Sequence, residues 1–216
     1  STIQMVAALY PLHRAYRLRR VIVSTYQAVS GTGRAAVDEL EQQVRAWVGG
    51  ASLPVSVYPH QILFNVLPHI GTLSADNPGY YSEEVKMLKE TRKILDLPDL
   101  AVSATCVRVP VFYGHSEAVT AQFDQRPSVD HAREILAATP GIVVVDNPSD
   151  AGYPMPLTAA GTDTVHVGRI RMNTALENAL DLWIVADNIR KGAATNAVQI
   201  AEEMIRRGLL KPRRSP

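Results

Sequence analysis

Ala101-Val102-Ser103-Ala104-Thr105-Cys106-Val107-Arg108-Val109, followed closely by Ser116-Glu117-Ala118-Val119-Thr120-Ala121-Gln122-Phe123, decides the fold class. The first stretch is rich in β-branched residues and the second alternates with a two-residue period, the pattern of extended strands. Upstream, Val21-Ile22-Val23 reads as a buried strand, and further strands are expected at 141–146, 164–171 and 179–185. Helical patterns surround them. Ser1-Thr2 can cap a helix whose apolar positions Ile3, Met5, Val6, Leu9, Leu12 and Tyr16 recur at roughly helical spacing, with Pro11 expected to bend it. The spacing predicts a helix over 34–48 with Ala36, Val37, Leu40, Val44 and Val48 on one face, ended by Gly49-Gly50.

Residues 51–81, with Pro54, Pro59, Pro68 and Pro78, read as irregular around a buried patch at Ile62-Leu63-Phe64. Ser82 is the expected cap of a helix running to Leu95, with Glu83-Glu84 in the first turn, where the helix dipole favours anions. Ser128 caps a short helix at 129–138. A last helix over 188–207 is expected to turn Ala193, Ala197, Ile200, Ala201 and Met204 inward and to stop at Gly208. Strands grouped between helices, rather than strict βαβ alternation, predict an α+β layer with a mixed sheet.

Composition narrows the function. The 216 residues carry 22 Lys+Arg against 21 Asp+Glu, a net charge of +1, which supplies no broad field for nucleic acid or anionic lipid. A single cysteine excludes an internal disulfide and a Cys-based zinc cage. No apolar run approaches the roughly 20 residues of a bilayer-spanning helix, and nothing in the first residues reads as a signal peptide. A cytoplasmic α/β protein without nucleic-acid or membrane partners is expected.

Several residues invite a chemical reading. Gly31-Thr32-Gly33-Arg34-Ala35-Ala36 formally matches a dinucleotide fingerprint. Seven residues separate it from Val23, and no second strand ending in an acidic residue follows about 20 positions on, so no complete nucleotide-binding unit is encoded. The loop can still lie against a cofactor held elsewhere, because glycine permits close backbone approach. Cys106 in its apolar run reads as a small buried hydrophobe. Arg108 points away from its valine neighbours, where a guanidinium pairs with a carboxylate, either a neighbour's or a ligand's. His115 follows Gly114 at a turn. Glu83 and Lys86 share a helix face, as an exposed ion pair or as a binding pair. His13, His60, His69, His131 and His166 form no HxxxH or HExxH pair, so no metal is expected. Lys211, Arg213 and Arg214 read as a solvated basic end.

Taken together, these segments resemble aspartate-β-semialdehyde dehydrogenases. The resemblance is carried by Ser1-Thr2-Ile3-Gln4-Met5, by Ser24-Thr25-Tyr26-Gln27-Ala28-Val29-Ser30-Gly31 and by Glu90-Thr91-Arg92-Lys93-Ile94-Leu95. It continues through Thr105-Cys106-Val107-Arg108-Val109-Pro110, Gly114-His115-Ser116, Val167-Gly168-Arg169-Ile170-Arg171 and Ala186-Asp187-Asn188-Ile189-Arg190-Lys191-Gly192-Ala193-Ala194, in order along the chain.

The resemblance implies a two-domain subunit, active as a homodimer or homotetramer. A Rossmann domain binds NADP, and a second domain supplies catalytic residues and the dimer surface. The family's nucleophilic cysteine stands in an Asn-Cys-Ser-Thr type sequence, so Ser1-Thr2 aligns just after it. The expectation is that this chain is the catalytic and dimerisation domain, with helices on one sheet face and without the Rossmann domain and nucleophile. Residues 1–187 would form that domain, and 188–216 would pack back against the NADP-binding domain. The implied reaction is reductive dephosphorylation of L-aspartyl-4-phosphate to the semialdehyde through a cysteine thioester, in lysine, threonine, methionine and diaminopimelate biosynthesis. His115 matches the acid/base residue and Gln27 the glutamine near the thiol. Arg108 matches the carboxylate-binding arginine, Lys86 the phosphate-binding lysine, and Glu83 (or Glu84) the glutamate at the substrate amine. Ser30, Gly31 and Asn188 match positions touching the nicotinamide half of NADP. The rival reading is a non-catalytic assembly module.

Overall fold

The computed structural model describes residues 1–210; the basic end at Lys211, Arg213 and Arg214 lies outside them. Helix α1 (Thr2–Tyr16) leads into β1 (Leu18–Gln27), a tight 3₁₀ turn at Val29–Thr32 and α2 (Arg34–Val48). After the irregular segment come α3 (Ser82–Leu95), β2 (Ala101–Arg108), β3 (His115–Phe123), α4 (Val129–Ala137) and β4 (Ile142–Val144). The chain continues through α5 (Pro156–Ala159), β5 (Val165–Met172) and β6 (Ala179–Ala186), then a π turn at Arg190–Ala194 and α6 (Thr195–Arg206).

The strands form one six-stranded sheet in the order β2-β1-β3-β6-β5-β4. The β1–β2 and β4–β5 pairs are parallel and the other three antiparallel, so the sheet is mixed as expected. Alternation decides what each face carries. Val21, Val23, Ala104, Cys106, Val119, Ala121, Leu180, Leu182 and Ile184 form one face and are buried with Met5, Leu9 and Leu12 of α1, Met87 and Leu95 of α3, and Leu136 of α4. On the opposite face Ile22 and Tyr26 remain exposed.

Several local expectations are corrected. The first strand reaches Gln27, because Ser24-Thr25-Tyr26-Gln27 keeps the alternation and pairs with β2 throughout. Ser1 sits at the α1 N-cap without a side-chain cap bond. In α2, Val44 and Val48 are exposed, and the polar Glu39 and Gln43 are buried instead. Both anchor the irregular segment: Glu39 Oε2 accepts from the Ser56 N–H at 2.7 Å, and Gln43 Oε1 from the Leu63 N–H at 2.9 Å. Ile62 and Leu63 are buried against α2, whereas Phe64 turns outward to meet Trp47, with ring centroids 5.0 Å apart. The α3 cap is Tyr81 rather than Ser82, with Glu84 completing a capping box. The last helix closes no core. Ala193, Ala197, Ile200 and Ala201 are exposed and Met204 is half-buried, so the apolar side of α6 is open.

Candidate active site

Sheet topology gathers the predicted site residues at one end of the sheet. β1 and β2 are parallel and end together at the registered pair Gln27 and Arg108. β3 runs the other way and begins there at His115, whose register partner Ala186 ends β6. Asn188 follows two residues later. The α1 N-terminus reaches the same edge, where Gln4 Nε2 donates to the His115 carbonyl at 3.1 Å.

Hydrogen bonds join these residues into a strip. Lys86 Nζ lies 2.8 Å from Glu83 Oε2, and Glu83 Oε1 accepts from Gln27 Nε2 at 3.4 Å. Arg108 Nη1 donates to the Ala28 carbonyl at 2.6 Å. The Ala28 N–H donates to His115 Nδ1 at 3.0 Å. A Cβ placed on Gly31 would stand 2.8 Å from Arg108 Nη1 and 3.1 Å from His115 Nε2, so the bare glycine is what lets the loop lie on both side chains. Beyond it, Asn188 Nδ2 donates to Ser30 Oγ at 3.0 Å and Asn188 Oδ1 accepts from the Gly114 N–H at 2.9 Å. All eight predicted residues belong to this strip.

Burial sets the electrostatics. Arg108 and His115 are 4% and 5% exposed, and among the described residues no carboxylate is hydrogen-bonded to either. Burial lowers the Arg108 pKa from its usual value, with Tyr58 and Glu83 opposing. A buried guanidinium with no protein carboxylate bound to it is suited to a ligand carboxylate, which it can grip bidentately. The His115 pKa lies well below its ordinary value, first through burial and then through the cationic Arg108, with the Gly114 backbone opposing. In the Glu83–Lys86 pair, burial acts against both charges, yet the mutual ion pair outweighs it: Glu83 is lowered and Lys86 raised, so both stay ionised.

Glu84 is otherwise engaged. Its Oε2 accepts from the Tyr81 N–H at 2.8 Å and its Oε1 from the Cys106 N–H at 3.1 Å, leaving Glu83 as the carboxylate beside Gln27. Cys106 is buried against Met87, and burial pushes its thiol up to about 12, the state of an inert thiol. Among the described residues no cluster of His, Cys, Asp and Glu could hold a metal ion, and no helix is long and apolar enough to cross a membrane. Sequence reasoning missed Gln4 and Ala28, which tie α1 and β1 to His115. Gln4, a polar residue interrupting the apolar run of α1, carried a signal; Ala28 acts through its backbone and carried none.

The family model for the semialdehyde dehydrogenase dimerisation domain matches residues 9–191. The chain belongs to that family. An aspartate-semialdehyde dehydrogenase of Aquifex aeolicus is 54% identical over 211 residues, covering 97% of this chain and 62% of its own length. The crystal structure of aspartate semialdehyde dehydrogenase II complexed with ASA from Vibrio cholerae superimposes with a TM-score of 0.91 at 43% identity, covering 95% of this chain and 60% of that one. The aspartate semialdehyde dehydrogenase with NADP from Candida albicans superimposes with a TM-score of 0.70 at 25% identity, over 97% of this chain and 57% of that one. The semialdehyde dehydrogenase dimerisation domain thus accounts for most of the chain, and the chain spans about 60% of the length of the relatives it matches.

Proposed function

We propose that this chain is the substrate-binding and dimerisation portion of a cytoplasmic aspartate-semialdehyde dehydrogenase, which converts L-aspartyl-4-phosphate and NADPH to L-aspartate-4-semialdehyde, phosphate and NADP. The nucleophilic thiol would be supplied by the residue preceding Ser1 in the complete enzyme, and the NADP-binding domain by the remaining length of the relatives. The carrying observation is the clamp at Ala28, which sets a buried arginine and a buried histidine side by side under Gly31.

In this reading Arg108 takes the substrate α-carboxylate and Glu83 its ammonium group, while Gln27 lies between them and orients the substrate near the thiol. Lys86 steadies the phosphate. His115 is the acid/base group: with Nδ1 accepting from Ala28, its Nε2 is the nitrogen that exchanges a proton at the acyl oxygen. The α1 N-terminus points its dipole at the position of the thiol and favours the thiolate. Ser30, Gly31 and Asn188 suit the nicotinamide half of NADP, because Gly31 offers bare backbone and the Ser30–Asn188 pair offers an amide and a hydroxyl next to it. NADPH supplies the hydride when bound. The open side of α6, with Val198, Ile200 and Ile205 more than half exposed, supports residues 188–216 packing against the NADP-binding domain. A homodimer or homotetramer is the assembly that goes with this reading.

The test is Arg108→Leu in the complete enzyme. Loss of a charge-assisted pair costs about 1.5–3 kcal/mol, so kcat/KM for the aspartyl substrate should fall on the order of 10- to 100-fold, with NADP affinity within about twofold. Equal losses for substrate and NADP would overturn the assignment.

A further inference from the structure

Asp187 follows directly on β6 and is buried. Its Oδ1 accepts from the N–H groups of Ile189 at 2.9 Å and Arg190 at 3.0 Å. Its Oδ2 accepts from the Gly161 N–H at 2.7 Å, and its carbonyl from the Gly192 N–H at 3.0 Å. Among the described residues every hydrogen bond of this carboxylate goes to backbone. The bond to Ile189 reaches two residues ahead, so it closes a ring around the backbone of Asn188. Hydrogen bonds to an ionised carboxylate are roughly twice as strong as neutral ones, and burial shields these from water. The loop that supplies Gly161 is tied to the same turn a second time. Asp163 accepts from Arg190 Nε at 3.0 Å and Nη2 at 2.8 Å, and the Thr195 hydroxyl also donates to it. Asn188, the residue enclosed by this arrangement, spends its side-chain amide on Ser30 Oγ and the Gly114 N–H.

We propose that Asp187 is a positioning residue for Asn188: its carboxylate fixes the backbone turn from which the Asn188 amide joins Ser30 to Gly114. This rests on the reading above, in which Ser30, Gly31 and Asn188 meet the nicotinamide half of NADP. The Asn188 side chain is short, so its two bonds hold only while its backbone keeps one orientation. Without the carboxylate, the Ile189 and Arg190 N–H groups lose their acceptor and the turn opens toward water. The Asn188 amide then leaves Ser30 on one side and Gly114, the neighbour of His115, on the other. A shift of about 1 Å at a reacting centre can cost on the order of 100-fold in rate. Asp187 works only through the turn, and its effect is confined to the ligand half that Asn188 meets.

The experiment compares wild type, Asp187→Ala, Asp187→Asn, Asn188→Ala and the Asp187→Ala/Asn188→Ala double variant in the complete enzyme. Calorimetry reads the Kd for NADP and for 2′-phospho-ADP-ribose, which lacks the nicotinamide, and hydrogen exchange reads the enzyme without cofactor. Asp187→Ala should weaken NADP about tenfold and leave 2′-phospho-ADP-ribose within about twofold, a split that general loosening of the fold would not produce. Its amide exchange should quicken at least about threefold in peptides 111–116 and 187–192 and stay unchanged in 165–172. Asp187→Asn keeps an acceptor for Ile189 and Arg190 and should bind NADP within about threefold of wild type. The double variant should bind NADP within about twofold of Asn188→Ala, because both substitutions break one device. Where Asp187→Ala does not fold, Asp187→Ser, with a shorter acceptor, should show the same split at threefold or more. Equal weakening of both ligands, wild-type NADP binding in Asp187→Ala, an Asp187→Asn as impaired as Asp187→Ala, or additive losses in the double variant would each overturn the proposal. Wild-type NADP binding in Asn188→Ala would overturn the underlying cofactor reading instead.

Discussion

Arg108 and His115 are held by the backbone of one residue: the guanidinium donates to the Ala28 carbonyl at 2.6 Å, and the Ala28 N–H donates to His115 Nδ1 at 3.0 Å. Because Nδ1 accepts, the proton of the neutral ring sits on Nε2, the nitrogen that lies against Gly31. Ala28 follows directly after β1 and stands next to Gln27, so the strand that carries the glutamine also sets the spacing between Arg108 and His115.

His115 should titrate below its ordinary range. Burial favours the neutral ring, so the unfolded chain takes up this proton first as pH falls through about 6.5, and the stability due to the neutral histidine declines below that pH. The complete enzyme should keep a flat kcat/KM between pH 6.5 and 7.5 with any His115-dependent acid limb below 6.5. Replacing His115 with Asn should lower kcat about 10²- to 10⁴-fold and leave the circular dichroism spectrum unchanged. A limb centred above pH 6.5 that disappears in the Asn variant would contradict the environment described.

Gly31→Ala should damage chemistry more than folding. The new methyl would approach Arg108 Nη1 to 2.8 Å and His115 Nε2 to 3.1 Å, so one of the two must yield its place at Ala28. A displacement of about 1 Å in a reacting group can cost on the order of 100-fold. The expected result is a fall in kcat/KM of roughly 10- to 100-fold with a thermal midpoint within a few degrees of wild type. Wild-type kinetics in this variant would mean that the loop stands farther from the two side chains than the structure places it.

Cys106→Ser should leave turnover of the complete enzyme within about twofold. The thiol is buried, lies 3.6 Å from Met87 Sδ and is pushed up to about 12, so almost none is thiolate at neutral pH. The native chain should resist iodoacetamide at Cys106 and react only after denaturation, as mass spectrometry of the peptide spanning 101–110 would reveal. Complete inactivation of a folded Ser variant would show that the wrong sulfur has been set aside.

The layer type, every helix of eight or more residues and the six strands could be read from alternation and capping, because those signals are local. Misread positions mark where tertiary packing overrides them. Val44 and Val48 fit the α2 stripe, but the irregular segment is anchored through the polar Glu39 and Gln43 and leaves both valines exposed. Ile200 and Met204 fit an inward stripe on α6, yet periodicity says only that a face is apolar and not whether this chain supplies the cover. In the site, residue types and the family resemblance marked Arg108 and His115, but nothing in their sequence spacing places them on Ala28. Asp187 was visible only as the neighbour of Asn188, and the turn its carboxylate closes depends on backbone geometry.

The uncovered sheet face should carry the dimer contact. Ile22 is 44% and Tyr26 38% exposed, and the Tyr26 ring lies 5.5 Å from Trp183 on β6. The same face holds a depression of about 350 Å³ lined by Tyr153, Met155, Arg169 and Trp183 among others. An apolar face of this kind, rimmed by arginines in a dimerisation-domain family, is the surface whose burial yields hydrophobic stabilisation on association. Tyr26→Asp would place an unpaired charge at its centre, where truncating a central aromatic alone costs 2 kcal/mol or more at a hot spot. Sedimentation velocity of the complete enzyme should show the dissociation constant weakened by about 30-fold or more. Ile200→Asp on α6, a different surface, should leave it within about threefold. If Tyr26→Asp remained dimeric at nanomolar concentration while Ile200→Asp dissociated, the dimer contact would belong to α6 and not to the sheet.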